Sequence, residues 1–203
     1  MAVITISRKF GAGGKTLGEM VSEKLGYTLY DKELIQMIAE KAKVSENGVE
    51  FIEKEARGKL GIFISGMVPK VIADLKGKKK SADTIDEEIY IDVLKDIFTK
   101  IAEEGNAVII GRGGQYVLQN KKDVFHVLAT ARKEDRTKFL VKKYKLSLKD
   151  AIKAVELDDK KRLNLYRKYG RDDYDKPLVY HLVLNTSKID LDSACELICE
   201  LVQ

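Results

Sequence analysis

The feature that most constrains the fold is a glycine-rich loop that lies between a short apolar segment and an amphipathic helical pattern. Residues 1–7 (MAVITIS) are mostly apolar or β-branched and predict a strand. The loop follows at residues 11–14 (GAGG), and apolar residues then recur at helical spacing from Lys15 to about Leu25. A strand, a glycine loop and a helix in this order predict the opening of a parallel α/β sheet.

Four further segments predict the rest of the sheet. They are short runs rich in apolar residues, at 27–30, 107–110, 124–129 and 180–184. The run at 107–110 (AVII) is wholly apolar, which is typical of a strand buried on both faces of a parallel sheet. Helical patterns occur at residues 31–104, 133–143, 147–169 and 191–202. The first of these regions ends in a longer helix at 86–104. We therefore predict a three-layer α/β fold with about five parallel strands and helices on both faces.

The 203 residues are enough for one domain that carries insertions. We predict a core made of residues 1–44, 86–145 and 176–203. Glycines and a proline divide residues 45–85, which we interpret as a helical insertion, and the charged helices of residues 146–175 are interpreted as a lid.

Composition excludes several classes of protein. The 37 basic and 32 acidic residues leave a net charge of only +5, and no zinc-ligand spacing or helix-turn-helix pattern accompanies the basic run at 76–80, so we expect no nucleic-acid partner. No apolar run approaches the length of a membrane span, so no membrane partner is expected. Cys195 and Cys199 are too close together for a disulfide framework, which predicts a cytoplasmic protein and leaves its oligomeric state open.

The glycine loop predicts a phosphate site. Residues 14–16 match the end of the P-loop pattern G-x-x-x-x-G-K-[ST], whereas Lys9 stands where its first glycine is expected. Small residues let backbone N–H groups close around phosphate oxygens, a lysine reaches the outer phosphates, and a hydroxyl ligates Mg²⁺. The alternative is a glycine turn without a ligand. The predicted phosphate-binding residues are Gly11, Ala12, Gly13, Gly14, Lys15 and Thr16.

Two basic motifs follow at places where a ligand could be bound. Arg112 comes directly after the apolar strand at 107–110, at the carboxyl edge where open α/β sheets bind ligands. Asp159 and Arg162 are three residues apart and so share a helical face. Phosphoryl transfer needs positive charge at the transferred group, which a basic helix can supply. The alternative is that both arginines are surface charges.

The order of these motifs resembles that of cytidylate kinases, and more closely that of the cytidylate kinase-like proteins among the P-loop nucleoside monophosphate kinases. The resemblance covers nearly the whole chain and is weakest across residues 45–85. The segments that carry it are residues 25–31 (LGYTLYD), 108–112 (VIIGR), 128–131 (LATA) with Arg136, 159–162 (DKKR) and 180–186 (YHLVLNT).

The resemblance implies an ATP-dependent kinase that transfers the γ-phosphoryl group to CMP or dCMP, with Mg²⁺ as cofactor. It implies that Gly11 to Thr16 bind the ATP phosphates and that Lys15 and Arg162 are catalytic. Arg112 would hold the acceptor monophosphate, with Asp159 and Arg162 approaching from the lid. Asp31 matches an acidic position beside the acceptor and, with Thr16, is a candidate Mg²⁺ ligand.

The chain departs from cytidylate kinases on the acceptor side. They carry aspartates where this chain has Ile110 and Gly113, and arginines where it has Met37 and Val155. Two alternatives therefore remain, namely a nucleotide-binding regulatory protein whose acceptor site has decayed and a kinase of a non-nucleotide small molecule.

Overall fold

The computed structural model describes residues 1–55 and 87–202. Within them, five strands form one sheet in the order β2-β3-β1-β4-β5, and every pair is parallel. The strands are β1 (Val3–Arg8), β2 (Thr28–Tyr30), β3 (Ala107–Ile110), β4 (Val124–Thr130) and β5 (Leu182–Asn185). The predicted α/β class and all five strands are confirmed, with bounds that differ by two residues at most.

The helices of the described residues are α1 (Gly14–Leu25), α2 (Glu33–Ala42), α3 (Glu46–Glu55), α4 (Glu87–Glu104), α5 (Gly114–Val117), α6 (Lys133–Tyr144), α7 (Leu148–Arg167) and α8 (Leu191–Leu201), with a 3₁₀ helix at Pro177–Val179. The two charged helices predicted at 133–143 and 147–169 are confirmed as α6 and α7, and they are separated where Lys145 adopts a left-handed φ of 57°. The Ser147 side chain then accepts a hydrogen bond from the Asp150 N–H and begins α7.

The sheet is buried on both faces because successive residues of β1 point to opposite sides. Val3 packs with Phe98 and other residues of α2 and α4. Ile4 and Ile6 pack on the other face with apolar residues of α1 and α8, among them Leu17. All of these side chains are almost fully buried. This arrangement is the predicted three-layer fold, and it brings the carboxyl ends of the strands to one edge.

Two smaller clusters lie beyond the sheet, and each joins residues of the segment predicted to be the lid to residues of the predicted core. Leu140, Ala151 and Val155 pack together beside Phe10 of the glycine loop. Tyr166 packs edge-to-face on Tyr116, with ring centroids 5.7 Å apart, and belongs to a second cluster of tyrosines. The division of the chain into core, insertion and lid stays a prediction, and residues 56–85 of the predicted insertion lie outside the described residues.

Candidate functional site

The loop after β1 presents the amino end of α1. Gly11 and Gly13 adopt left-handed φ angles of 81° and 76°, and a Cβ added to Gly14 would lie 2.6 Å from Arg8 Cβ. Gly13 is the N-cap of α1 and has no side chain with which to cap it, and the first turn contains no acidic residue. The first N–H groups of α1 are therefore not neutralised by a local side chain, which is the arrangement that suits a bound phosphate.

Lys9 fits the first position of the loop although the P-loop pattern has glycine there. Its backbone N–H donates a 2.9 Å hydrogen bond to Ala129 O, and its carbonyl accepts one from the Ala12 N–H. Lys9 is not among the described residues with a left-handed φ. Its ammonium group points away from the loop and donates to Asp175 at 2.8 Å and to the Tyr174 hydroxyl at 3.1 Å. A Cβ at this position is therefore compatible with the loop.

The predicted lid residues Asp159 and Arg162 already contact the loop. Asp159 accepts hydrogen bonds from the Phe10 N–H at 3.0 Å and from Arg136 at 2.6 Å. Arg162 donates to Arg8 O at 3.1 Å, and its guanidinium lies 5.5 Å from the centre of the Phe10 ring. Arg162 of the predicted lid therefore contacts the glycine loop directly in this structure.

Lys15 and the two candidate magnesium ligands lie around the first turn of α1. The Lys15 side chain is about half exposed, and its ammonium group is 3.4 Å from Asp31 Oδ2 and 3.8 Å from Glu19 Oε1. Thr16 accepts a 3.0 Å hydrogen bond from Lys143 through its hydroxyl oxygen. A half-exposed lysine that makes no short ion pair can turn to a phosphate at little cost.

Arg112 is paired with a residue that the sequence did not single out. Its Nε and Nη2 donate to the two carboxylate oxygens of Glu53 on α3, at 2.6 and 3.3 Å, and its Nη1 donates to the Asp31 carbonyl. The Tyr90 hydroxyl also donates to Glu53 at 2.9 Å. Burial alone would lower the pKa of Arg112, but the Glu53 carboxylate outweighs it and raises that pKa above its ordinary value.

Arg8 is the other charged residue that sequence reasoning missed. Its guanidinium lies against Gly111, at a position where any Cβ on that residue would collide with it. Within the described part of the chain, the closest carboxylate oxygen is Asp31 Oδ1 at 3.9 Å. Burial, together with the positive charge of Arg162, lowers the pKa of Arg8 to about 10. The cue in the sequence was an arginine at the carboxyl end of the central strand, the same cue that pointed to Arg112.

The positions that differ from cytidylate kinases are packing positions in this chain. Ile110 and Val155 are fully buried among apolar side chains, and Met37 packs against the core between α2 and α4. Gly113 has a left-handed φ of 85° and lies against the Tyr169 ring, which leaves no room for a side chain. Restoring the family's charged residues here would therefore require these packing contacts to change.

Residues 1–55 and 87–202 contain neither a preformed metal site nor a membrane-spanning helix. No three His, Cys, Asp or Glu side chains of that part group closely enough to hold a metal ion by themselves. No helix of that part combines the length and the apolar character needed to cross a membrane.

Comparison with known families decides the relationship of this chain. The sequence model of the cytidylate kinase-like family matches residues 3–188, which is most of the chain. The chain belongs to the cytidylate kinase-like family. Membership supports a phosphotransferase as the general class of activity, without specifying the acceptor. No curated protein matches this cytidylate kinase-like chain in sequence.

Solved structures show the same fold at low identity. An uncharacterized protein from Eubacterium ventriosum ATCC 27560 is 18% identical, with a TM-score of 0.68 over 100% of this chain and 98% of the other. Shikimate kinase from Bacteroides thetaiotaomicron is 15% identical, with a TM-score of 0.51 over 99% and 98%. Shikimate kinase from Acinetobacter baumannii, solved with shikimate, is 13% identical, with a TM-score of 0.51 over 100% and 93%. The cytidylate kinase-like chain therefore has the fold of P-loop kinases.

Proposed function

We propose that this cytidylate kinase-like protein transfers the γ-phosphoryl group of ATP to a small-molecule acceptor, with CMP or dCMP as the first candidates. The observation that carries the proposal is the uncapped amino end of α1, with Lys15 in its first turn, at the sheet edge where Arg8 and Arg112 also lie. Backbone N–H groups bind phosphate oxygens, and neighbouring cations neutralise the charge on the group being transferred.

The donor side follows from the loop. Gly11 to Gly14 and the first turn of α1 would surround the ATP phosphates, and Lys15 would leave its exposed ion pairs to contact the outer ones. Mg²⁺ would be held by Thr16 and Asp31 together with phosphate oxygens, because magnesium in kinases takes few protein ligands. Two oxygen donors close to the amino end of α1 fit that ion, which would neutralise charge on the phosphates.

The acceptor side is assigned to the neighbouring charged residues. The acceptor oxygen would form a bond to the γ-phosphorus as the bond to the ADP oxygen breaks, so the products are ADP and the phosphorylated acceptor. Arg162 and Asp159 contact the loop from α7, close to where the γ-phosphate would lie. Arg112 is directed at Glu53, so an acceptor could reach its fork only by displacing that carboxylate.

A nucleotide-binding regulatory protein is the second candidate, and the Glu53–Arg112 pair is what favours it. The Glu53 carboxylate pairs with Arg112, the arginine predicted to hold the acceptor phosphate. It could take the place of that acceptor permanently. Such a protein would bind ATP and turn over no acceptor.

The test is a measurement of ADP formation from ATP–Mg²⁺ in the presence of CMP, dCMP, other nucleoside monophosphates, small alcohols and small hydroxy acids. Lys15→Ala is the control for contaminating kinases, since it should abolish any activity of this protein. Turnover with CMP or dCMP supports the leading proposal, and turnover with a hydroxy acid alone would assign a non-nucleotide acceptor. ATP binding without any turnover would favour the regulatory protein, and no ATP binding would contradict both candidates.

A further inference from the structure

Arg8 lies between the two halves of the proposed site. The loop that follows it is attached to the β4–β5 side of the sheet, through Ala129 and through Thr186, whose hydroxyl donates to Ala12 O at 3.1 Å. The Arg8 side chain instead extends to the β2–β3 side, where it lies against Gly111 and approaches Asp31. Its aliphatic stem thus lies against Gly14 of the phosphate loop, while its guanidinium faces the carboxyl ends of β2 and β3.

The positive charge of Arg8 is not matched by a nearby negative charge in the described residues. Asp31 lies 3.9 Å from Arg8, beyond hydrogen-bonding distance, and it also approaches Lys15 at 3.4 Å and Arg112 at 4.0 Å. The Asp31 carboxylate is thus shared by three cations. Arg112 has Glu53 as an additional partner, whereas Arg8 has no second carboxylate nearby in the described residues. The Arg8 side chain is only 19% exposed, so water compensates its charge incompletely.

We propose that Arg8 is the principal receptor for an anionic group of the acceptor, a phosphate or a carboxylate, and that Arg112 is a positioning residue held by Glu53. This inference rests on the proposed function and names the residue that selects its acceptor. A guanidinium without a close partner can form two parallel charge-assisted hydrogen bonds to either group. Arg112 already makes that kind of contact inside the protein.

Stability distinguishes a receptor from a structural arginine. Burial and Arg162 lower the pKa of Arg8, so the folded protein disfavours the charged guanidinium when no anion is present. Replacing Arg8 with a neutral residue should therefore leave the melting temperature unchanged or raise it, while binding is lost. A structural arginine would show the opposite, a lower melting temperature.

The experiment compares the wild-type protein with Arg8→Gln, Arg8→Lys and a matched control, Lys121→Gln. Lys121 is exposed and precedes β4, at the opposite edge of the sheet, and its replacement removes the same charge. Each protein is saturated with a non-hydrolysable ATP analogue and Mg²⁺ and then titrated calorimetrically with inorganic phosphate and, separately, with acetate. These two probes distinguish a phosphate acceptor from a carboxylate acceptor.

We expect the wild type and Lys121→Gln to bind at least one probe with equal affinity. Arg8→Gln should weaken that binding about tenfold or more, because charge-assisted hydrogen bonds are lost. Arg8→Lys should be intermediate, since it keeps the charge but not the fork. Affinity for the ATP analogue should stay close to that of the wild type in all variants.

Three results would overturn the inference: unchanged anion binding by Arg8→Gln, failure of both probes to bind the wild type, or an equal loss of ATP-analogue affinity in Arg8→Gln. A lower melting temperature for Arg8→Gln would contradict it as well. Failure of the wild type to bind the ATP analogue would instead contradict the proposed function. The same titrations on nucleotide-free protein would then decide the role of Arg8 by themselves.

Discussion

The phosphate loop and the acceptor edge are built in different ways, although both lie at the carboxyl ends of the same strands. The loop is made by backbone, with left-handed glycines, an uncapped helix end and a Lys9 N–H that donates to Ala129 O of β4. The acceptor edge is made by side chains from four separate parts of the chain, namely Arg8, Asp31, Glu53 and Arg112, and Arg162 joins it through the main-chain carbonyl of Arg8. A local sequence motif can specify a backbone site, whereas a site made of distant side chains depends on the assembled fold.

The largest effect that would test this difference comes from the loop. Lys15→Ala should lower kcat/KM for ATP by about 100- to 1,000-fold, because a positive charge near the transferred phosphate is lost. The melting temperature should change little, since Lys15 is about half exposed and its mostly buried partner Asp31 keeps Arg8 and Arg112 nearby. Steady-state kinetics and thermal denaturation measure the two quantities. An active variant with normal ATP affinity would show that the glycine loop is only a turn.

At the acceptor edge, the largest expected effect of a substitution is on the free energy of unfolding. Glu53→Ala leaves the Arg112 guanidinium, whose side chain is 11% exposed, without its carboxylate. We expect the free energy of unfolding to fall by about 3 kcal/mol, as for other ion pairs broken on one side in a protein interior. Chemical denaturation measures this change.

The matched control for Glu53→Ala is Asp135→Ala, which removes the carboxylate that pairs with Arg132, whose side chain is 62% exposed. Its cost should be about 0.5 kcal/mol or less. Equal costs for the two variants would mean that the Glu53–Arg112 pair is no more than a surface contact, and Arg112 would then be available to an acceptor.

The sequence predicted the sheet well because its signals are local. The wholly apolar run at 107–110 is stable only in a strand that is covered on both faces, and β3 has the predicted bounds. The glycine loop was predicted at residues 11–14, and its Gly11 and Gly13 adopt left-handed φ angles in the structure. The break between α6 and α7 was predicted as well, but the left-handed conformation of Lys145 that ends α6 was not, because a charged residue carries no turn signature.

The acceptor edge was predicted only in part. Arg112 was found because it follows a buried strand, but its partner Glu53 is 59 residues away on α3. Nothing in the spacing of the acidic residues there distinguishes Glu53 from its neighbours. Arg8 follows the same rule as Arg112, yet the glycine motif beside it drew the interpretation to the loop. Pairing between distant charges is decided by the fold, which no local pattern encodes.

The stability of the sheet that carries both regions should depend on pH through a buried histidine. His126 on β4 is 3% exposed, its Nδ1 is 2.7 Å from the Thr5 hydroxyl, and burial together with nearby His181 lowers its pKa to about 4. The unfolded chain, with a histidine pKa of 6.5, binds a proton between these values that the folded protein does not. Stability should therefore fall by about 2–3 kcal/mol as the pH decreases from about 6.5 to 4.

Denaturant unfolding at several pH values measures this dependence, and His126→Gln isolates the contribution of one histidine. The variant should lose most of the slope within that window. Asp173 and other carboxylates whose pKa is lowered contribute below it, because their stabilisation is lost only as they are protonated. The same slope in wild type and variant would assign the effect to another group.

The smallest expected effect comes from restoring the missing loop glycine. Lys9→Gly should leave ATP affinity unchanged within about threefold, a difference of less than 1 kcal/mol, because the Lys9 backbone has no left-handed φ for a glycine to relieve. It should lower the free energy of unfolding by about 1 kcal/mol, since glycine gains freedom in the unfolded chain and the contacts to Tyr174 and Asp175 are lost. Lys9→Ala, which loses the same contacts but keeps a Cβ, is the matched control. A large gain in ATP affinity in Lys9→Gly alone would show that the Cβ at this position restricts the loop, and the loop would then depend on side chains as the acceptor edge does.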